Sequence, residues 1–265
     1  MAVDLSSRCD SSEFKNIVFN SGVNEQPDII GRFQTLQSHG VSSWIGFTLD
    51  DPSPPDPTLT SNQIRMVLTE AQVQDGLSLV TSANAPDYLQ LLNEPDAGFY
   101  NQPILSPQEA AATLQPFFNI ATSTTYLSPA PAYPSTTWLA DFFSACNGCT
   151  SMIPIVTAHI YSPDPNNAIS LIQNVMSQFP DKTIWITELS PASDASQGCT
   201  LDDAGVINWM STVVGFASQQ PQIERVFWNA GEAAQGLGDG GASCKVGLTD
   251  TDGQATELLK FYLSM

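Results

Sequence analysis

Short runs of β-branched and aromatic residues recur along this chain, each followed by an amphipathic stretch. That alternation restricts the fold more than any single motif does. Eight runs are read: Asn16–Phe19, Trp44–Leu49, Leu77–Thr81, Leu89–Leu92, Thr125–Leu127, Ile153–His159, Thr183–Thr187 and Val226–Trp228. Helix-start chemistry stands between them. Thr60-x-x-Gln63 and Ser106-Pro107-Gln108-Glu109 read as capping boxes, Asp164-Pro165 puts proline at a first helical position, and Thr200 precedes the acidic pair Asp202-Asp203. Alternating strand and helix with mostly apolar strands implies a parallel sheet, and right-handed crossovers then allow a doubly wound sheet or a barrel. No G-x-G-x-x-G follows the first run and no Walker pattern occurs, which disfavours the nucleotide-binding open sheet. Eight runs in 265 residues fit one α/β domain, a single (β/α)8 TIM barrel spanning residues 1–265.

Charge narrows the partners. Eight basic against 27 acidic residues give a formal net charge of −19, which repels nucleic acid and anionic membranes. Charged residues are only 13% of the chain, and the polar remainder is rich in Ser, Thr, Asn and Gln, a surface suited to a neutral, hydrogen-bonding ligand such as a glycan. No apolar run reaches the length of a membrane span, and Met1-Ala2-Val3-Asp4 lacks the basic and apolar regions of an export signal. Met1 is read as standing where a removed signal peptide ended. A secreted, extracellular or cell-wall protein, monomeric, is the expectation.

Five cysteines beside two histidines match no zinc pattern, so no metal is expected and disulfides are the better reading. Cys146 and Cys149 follow the helix-like stretch Trp138–Phe143, whereas a thioredoxin-type motif opens a helix after a strand. A structural bridge is expected there. Cys199 and Cys244 fall in the loops after the last two strands, neighbours in a barrel, and can bridge across the rim, leaving Cys9 free. The Pro-dense segment Asp50–Pro57 reads as a stiff connector.

A barrel works at the C-terminal ends of its strands. Two endings stand out: Leu91-Leu92-Asn93-Glu94-Pro95-Asp96 and Trp185-Ile186-Thr187-Glu188-Leu189-Ser190. Cleaving a glycosidic bond needs one carboxylic acid to protonate the departing oxygen and a second carboxylate to support the oxocarbenium-like carbon. Glu94 as acid, held protonated by burial or by its neighbour's charge, and Glu188 as the ionised carboxylate, acting as nucleophile or through an activated water, would meet that need as a coupled pair. Either glutamate alone is no more telling than a helix-capping carboxylate. A Ser-His-Asp triad lacks the G-x-S-x-G elbow that would position its serine. His39 before Gly40 reads as a helix end, and Glu232 as a solvated loop carboxylate.

Leu92-Asn93-Glu94-Pro95-Asp96, Trp185-Ile186-Thr187-Glu188, the Cys-x-x-Cys followed by Ala158-His159-Ile160-Tyr161, and Val226-Phe227-Trp228 resemble glycoside hydrolase family 128, β-1,3-glucanases of clan A from fungi and bacteria. The resemblance spans about the last two thirds of the chain. It implies a retaining hydrolase of β-1,3-glucan or its oligosaccharides, needing no cofactor, with Glu94 as acid/base and Glu188 as nucleophile. Asn93, His159 and Tyr161 would line the sugar subsite at the cleavage point, and Trp228 would be a platform under the ring. Trp44 and Tyr100 are further substrate-binding candidates by their positions at or after strand ends; Phe99 and Tyr133 share that placement. Ile160 stands where the family commonly has an aromatic residue, and Leu189-Ser190 where it has Phe and a small residue. Both departures are read as lying beside the site. The rival reading is a β-1,3-glucan oligosaccharide-binding protein on the same scaffold with little or no turnover.

Overall fold

A computed structural model describes residues 14–18, 29–41, 43–46, 63–67, 69–98, 102–192, 198–229, 244–250 and 252–265. Eight parallel strands close in sequential order: β1 (Lys15–Val18), β2 (Trp44–Ile45), β3 (Gln63–Val67), β4 (Tyr88–Leu91), β5 (Thr125–Leu127), β6 (Ile155–Tyr161), β7 (Thr183–Ser190) and β8 (Ile223–Trp228). Closure is made by β8 pairing with β1, Val226 opposite Lys15 and Trp228 opposite Ile17. The α-helices among the described residues are α1 (Ile29–Ser38), α2 (Val73–Val80), α3 (Pro107–Leu114), α4 (Trp138–Ala145), the single turn α5 (Cys149–Met152), α6 (Pro165–Gln178), α7 (Asp203–Ser218) and α8 (Glu257–Ser264).

Two helix starts form as their residues dictate. Ser106 accepts from the Glu109 amide while the Glu109 carboxylate accepts from the Ser106 amide, and Asp164 caps α6 with Pro165 at its first position. Asp202 caps α7 by accepting from the Gly205 amide. Gly40, at φ 102, takes the left-handed turn after α1.

The third strand is not where its periodicity suggested. Leu77–Thr81 falls in and just past α2, and the strand is Gln63–Val67, so Gln63 begins a strand instead of completing a capping box. Leu77-Ser78-Leu79-Val80 alternates like a strand, but the helix begun at Val73 continues through it. Gly76 explains the packing: a Cβ there would lie 2.7 Å from Val67 Cγ2 and 3.0 Å from the Phe117 ring, so its absence lets α2 sit close on β3. Of the run Trp44–Leu49, the strand covers Trp44–Ile45, and residues 47–50 lie outside the described residues, as does the segment 50–57.

Strand alternation sorts the core into two layers. Val18, Ile45, Ile64, Met66, Leu127, Ile155, Trp185 and Phe227 pack together inside the barrel. The Arg225 guanidinium lies 4.4 Å from the Trp185 ring centre and 5.3 Å from that of Tyr88. Residues of the opposite parity, among them Trp44, Ile160, Leu189 and Trp228, pack outward against the helices.

Both expected disulfides are present, Cys146–Cys149 following α4 and Cys199–Cys244 linking the segments after β7 and β8. Cys9 lies outside the described residues.

Candidate active site

Glu188 reaches the barrel axis through an irregularity in β7. Strict alternation from the inward Trp185 would turn Glu188 outward with Ile184 and Ile186. The register against β6 slips by one residue: Ala158 pairs with Ile186 but His159 with Glu188, leaving Thr187 as the extra residue. Such a bulge re-aims the side chain beyond it. Glu188 therefore faces inward beside His159, and Leu189 resumes the outward parity opposite Trp228.

Glu94 is turned by backbone conformation. Leu92 and Glu94 have φ of 65° and 46°, the left-handed region that non-glycine residues avoid. Each such residue costs about 1–3 kcal/mol and persists only where surrounding bonds enforce it. Here the Leu92 amide donates to Val67 at 2.8 Å, the Glu94 amide donates to Ala130 at 2.8 Å, and the Ala130 amide donates back to Leu92 at 3.3 Å. The strained segment is thus tied to β3 on one side and to the end of β5 on the other.

His159 joins the two carboxylates. Its inward parity on β6, shared with Ile155, Thr157 and Tyr161, puts the ring between them. Nδ1 lies 2.9 Å from Glu94 Oε1, and Nε2 lies 3.4 Å from Glu188 Oε1, within ion-pair range but not aligned as a hydrogen bond. The imidazole is fully enclosed, while the Glu94 and Glu188 side chains keep 14% and 7% of their exposure, enough to be met from the mouth. Tyr161 donates its hydroxyl to Glu188 Oε2 and accepts from Asn229 Nδ2.

Burial works against a proton on His159, but the charge of Glu188, the hydrogen bond to Glu94 and the charges of Glu94 and Asp96 outweigh it and raise its pKa. Burial, with the charge of Glu94 adding to it, pushes Glu188 up to about 7, against the opposing pull of His159 and the Tyr161 hydroxyl. Burial and the Glu188 charge hold the Tyr161 phenol well above its ordinary value, so it stays a donor. The upward shift thus falls on the glutamate read from sequence as the ionised one. The physical cause is depth: Glu188 is the more enclosed of the pair, and the site titrates as one coupled cluster.

The other sequence candidates divide. Asn93 is buried next to Glu94, and its Oδ1 finds no hydrogen-bond partner among the described residues. Trp228 is not an exposed platform. It is fully buried on the outer face of β8, 5.9 Å from the Trp209 ring and 6.2 Å from Tyr262, with its indole N–H donated to the Val246 carbonyl. Trp44 is likewise fully buried in the outer core, so neither indole can meet a ligand in this conformation. The physical reason is parity, since each stands next to an inward residue, Ile45 or Phe227, and so points outward. Tyr100 and Phe99 lie outside the described residues. Ile160 and Leu189 also face the helices, and Ser190 is buried with its hydroxyl on the Ala192 carbonyl, so these departures from the family pattern do not line the site. The residue sequence reasoning missed is Asn229, which reaches Tyr161; its position two beyond the inward Phe227 was the available signal.

Glu94, His159 and Glu188 are also the donor set among the described residues that could close on a metal ion, with one ligand atom of each within 4.8 Å of the others. Their own geometry favours a proton as the bridge, because Nδ1 and Oε1 already stand at hydrogen-bond distance.

A closed eight-stranded barrel whose mouth presents two carboxyl groups from β4 and β7 is the architecture of a glycoside hydrolase. The chain belongs to the family described as glycosyl hydrolase catalytic core, which it matches over residues 27–262. Alkali-sensitive linkage protein 1 of Schizosaccharomyces pombe is 29% identical over 176 residues, which are 65% of this chain and 32% of that protein; the chain therefore matches about a third of that relative's length. A family 128 subgroup V exo-β-1,3-glucanase from Cryptococcus neoformans has the same fold, with TM-score 0.74 and 20% identity over 94% of this chain and 97% of that one. So does a family 128 subgroup VII oligosaccharide-binding protein from Trichoderma gamsii, with TM-score 0.67 and 17% identity over 95% and 92%.

Proposed function

We propose that this chain is a secreted, single-domain member of glycoside hydrolase family 128 that cleaves β-1,3-glucan or its oligosaccharides with retention of configuration, Glu94 serving as acid/base and Glu188 as nucleophile. The observation that carries the reading is the convergence of Glu94 and Glu188 on one buried imidazole. A carboxylate oxygen of each lies within 4.8 Å of the other. Retaining enzymes hold the two groups about 5–5.5 Å apart and inverting enzymes about 6.5–9.5 Å, so the short separation supports direct attack by Glu188.

In the first step the Glu188 carboxylate attacks the anomeric carbon as the glycosidic C–O bond breaks, and Glu94 gives its proton to the departing oxygen. A glycosyl ester of Glu188 remains. In the second, Glu94 takes a proton from a water molecule that attacks the same carbon, releasing the sugar and restoring both carboxyl groups. His159 holds the shared proton next to Glu94 and tempers the negative charge of the pair. Tyr161, fixed by Asn229, donates to Glu188 and favours its ionised form. Asn93, with a free amide oxygen beside Glu94, would accept from a sugar hydroxyl.

The test is to incubate the protein and its Glu188→Gln variant with β-1,3-linked oligosaccharides and resolve products by length. Turnover by the parent and none by the variant is expected; products of equal rate from both would overturn the assignment. The oligosaccharide-binding relative supports a second reading, binding without turnover. Saturable binding with no products from the parent would decide for it.

A further inference from the structure

Among the described residues only two large hydrophobic side chains stand exposed, Ile104 at 66% and Tyr133 at 55%. Single exposed apolar residues are ordinary, but these two stand on loops that follow neighbouring strands at the C-terminal end of the barrel. Ile104 lies in the segment between β4 and α3, and Tyr133 in the segment between β5 and α4. Both are built onto the stretch that begins at Glu94. The Asp96 carboxylate, two residues on, accepts from the Ala132 amide at 2.7 Å and the Tyr133 amide at 3.2 Å. Gly98, at φ 67, leaves the space Ile104 occupies: a Cβ there would lie 2.8 Å from Ile104 Cγ1. Next to Ile104, the Leu105 amide donates to the Pro95 carbonyl at 2.8 Å, and its own carbonyl accepts the Trp138 indole N–H at 3.0 Å.

Tyr133 is also held from its other side. Its carbonyl accepts from the Thr136 amide at 3.0 Å and the Thr136 hydroxyl at 2.9 Å, and prolines 129, 131 and 134 restrict the chain around it. An aromatic ring kept in water on so fixed a backbone is preorganised for a ligand. The ligand's charge can be read too. In a chain of net charge −19, the described residues 97–98, 102–108 and 127–140 carry no ionisable acid or base other than the Tyr133 phenol. An uncharged ligand with an apolar face and hydroxyl edges fits that surface, and a β-glucose ring has both.

We propose that Ile104 and Tyr133 form a sugar subsite on the leaving-group side of the cleft, with Tyr133 stacking on a glucose residue and Asp96 acting as the positioning residue that ties this rim to Glu94. The inference rests on the glucan reading above. The leaving-group side follows because the rim extends from the segment that carries the acid, and the acid meets the departing oxygen.

Tyr133→Ala, Tyr133→Phe and Asp96→Asn are compared with the parent on β-1,3-oligosaccharides of increasing length. An aromatic contact of about 1.4 kcal/mol corresponds to about a tenfold change, so Tyr133→Ala should raise KM about tenfold on the longer substrates, with kcat little changed and the loss growing with length. Tyr133→Phe should keep most of the affinity. Asp96→Asn should show the same length-dependent loss, which a general loss of folding would not produce. The same Tyr133 changes in the Glu188→Gln background are read by calorimetric titration, so the subsite is tested whether or not the parent turns over. Unchanged affinity of Tyr133→Ala for long oligosaccharides that the parent binds would overturn the subsite alone. No binding by the parent to any β-1,3-oligosaccharide would overturn the glucan reading and this subsite with it.

Discussion

Replacing Glu188 by glutamine should remove activity and, above neutral pH, make the protein more stable. Glu188 titrates at about 7 in the fold against an ordinary 4.5. Below pH 4.5 the carboxyl is protonated in both states and contributes no difference. Between 4.5 and 7 the unfolded chain gives up a proton that the folded protein keeps, so stability falls as pH rises, and above 7 the cost is complete. At about 1.36 kcal/mol per pH unit the whole cost is about 3 kcal/mol. Glutamine resembles the protonated carboxyl and can still accept from Tyr161, so it avoids that cost. It also forgoes the attraction between Glu188 and His159, which opposes the gain. A net stabilisation of about 1–2 kcal/mol at pH 8 is expected, about 2–4 °C in Tm for a chain of this size. Scanning calorimetry of both proteins at pH 8 and pH 4 measures it. The reasoning fails if the variant is no more stable at pH 8, or if its gain is the same at pH 4.

Tyr161→Phe removes a donor to a charged acceptor, worth about 1.5–3 kcal/mol, so the acidic limb of the pH–rate profile should move upward by about 1–2 pH units. A profile that keeps its acidic limb would refute that role. His159→Gln keeps a hydrogen-bonding group beside Glu94 but no positive charge; Glu188 loses the pull that favours its ionised form, kcat should fall about 100-fold or more, and the acidic limb should again rise, as steady-state rates across pH will show. Cys199→Ser opens a crosslink across a sequence separation of 45, for which chain entropy gives at most about 4 kcal/mol. Thermal melts should show a clear drop in Tm that reductant no longer increases to the extent seen in the parent.

Much of the site was legible in sequence because its chemistry sits where apolar strands turn polar. Glu94 lies just past the end of β4 and Glu188 near the end of β7, His159 and Tyr161 share one parity on β6, and Cys199 and Cys244 follow neighbouring strands. The misread third strand shows the limit of local pattern. Leu77–Thr81 alternates like a strand, and only the close seat that Gly76 gives α2 on Val67 shows a helix there.

The sequence by itself determined the alternation of strand and helix and pointed to Glu94 and Glu188 as candidate carboxyl groups, since strand periodicity, helix caps and residue chemistry are local properties. Tertiary structure alone decided which way the side chains face. A one-residue slip in β7 turned Glu188 inward, positive φ angles enforced by Val67 and Ala130 turned Glu94, and outward parity buried Trp44 and Trp228 against the helices. It also decided how charge is shared, because the pKa values of Glu188 and His159 depend on burial and on partners from other strands. Parity and electrostatics are set by what lies across the barrel, which no local stretch of sequence contains.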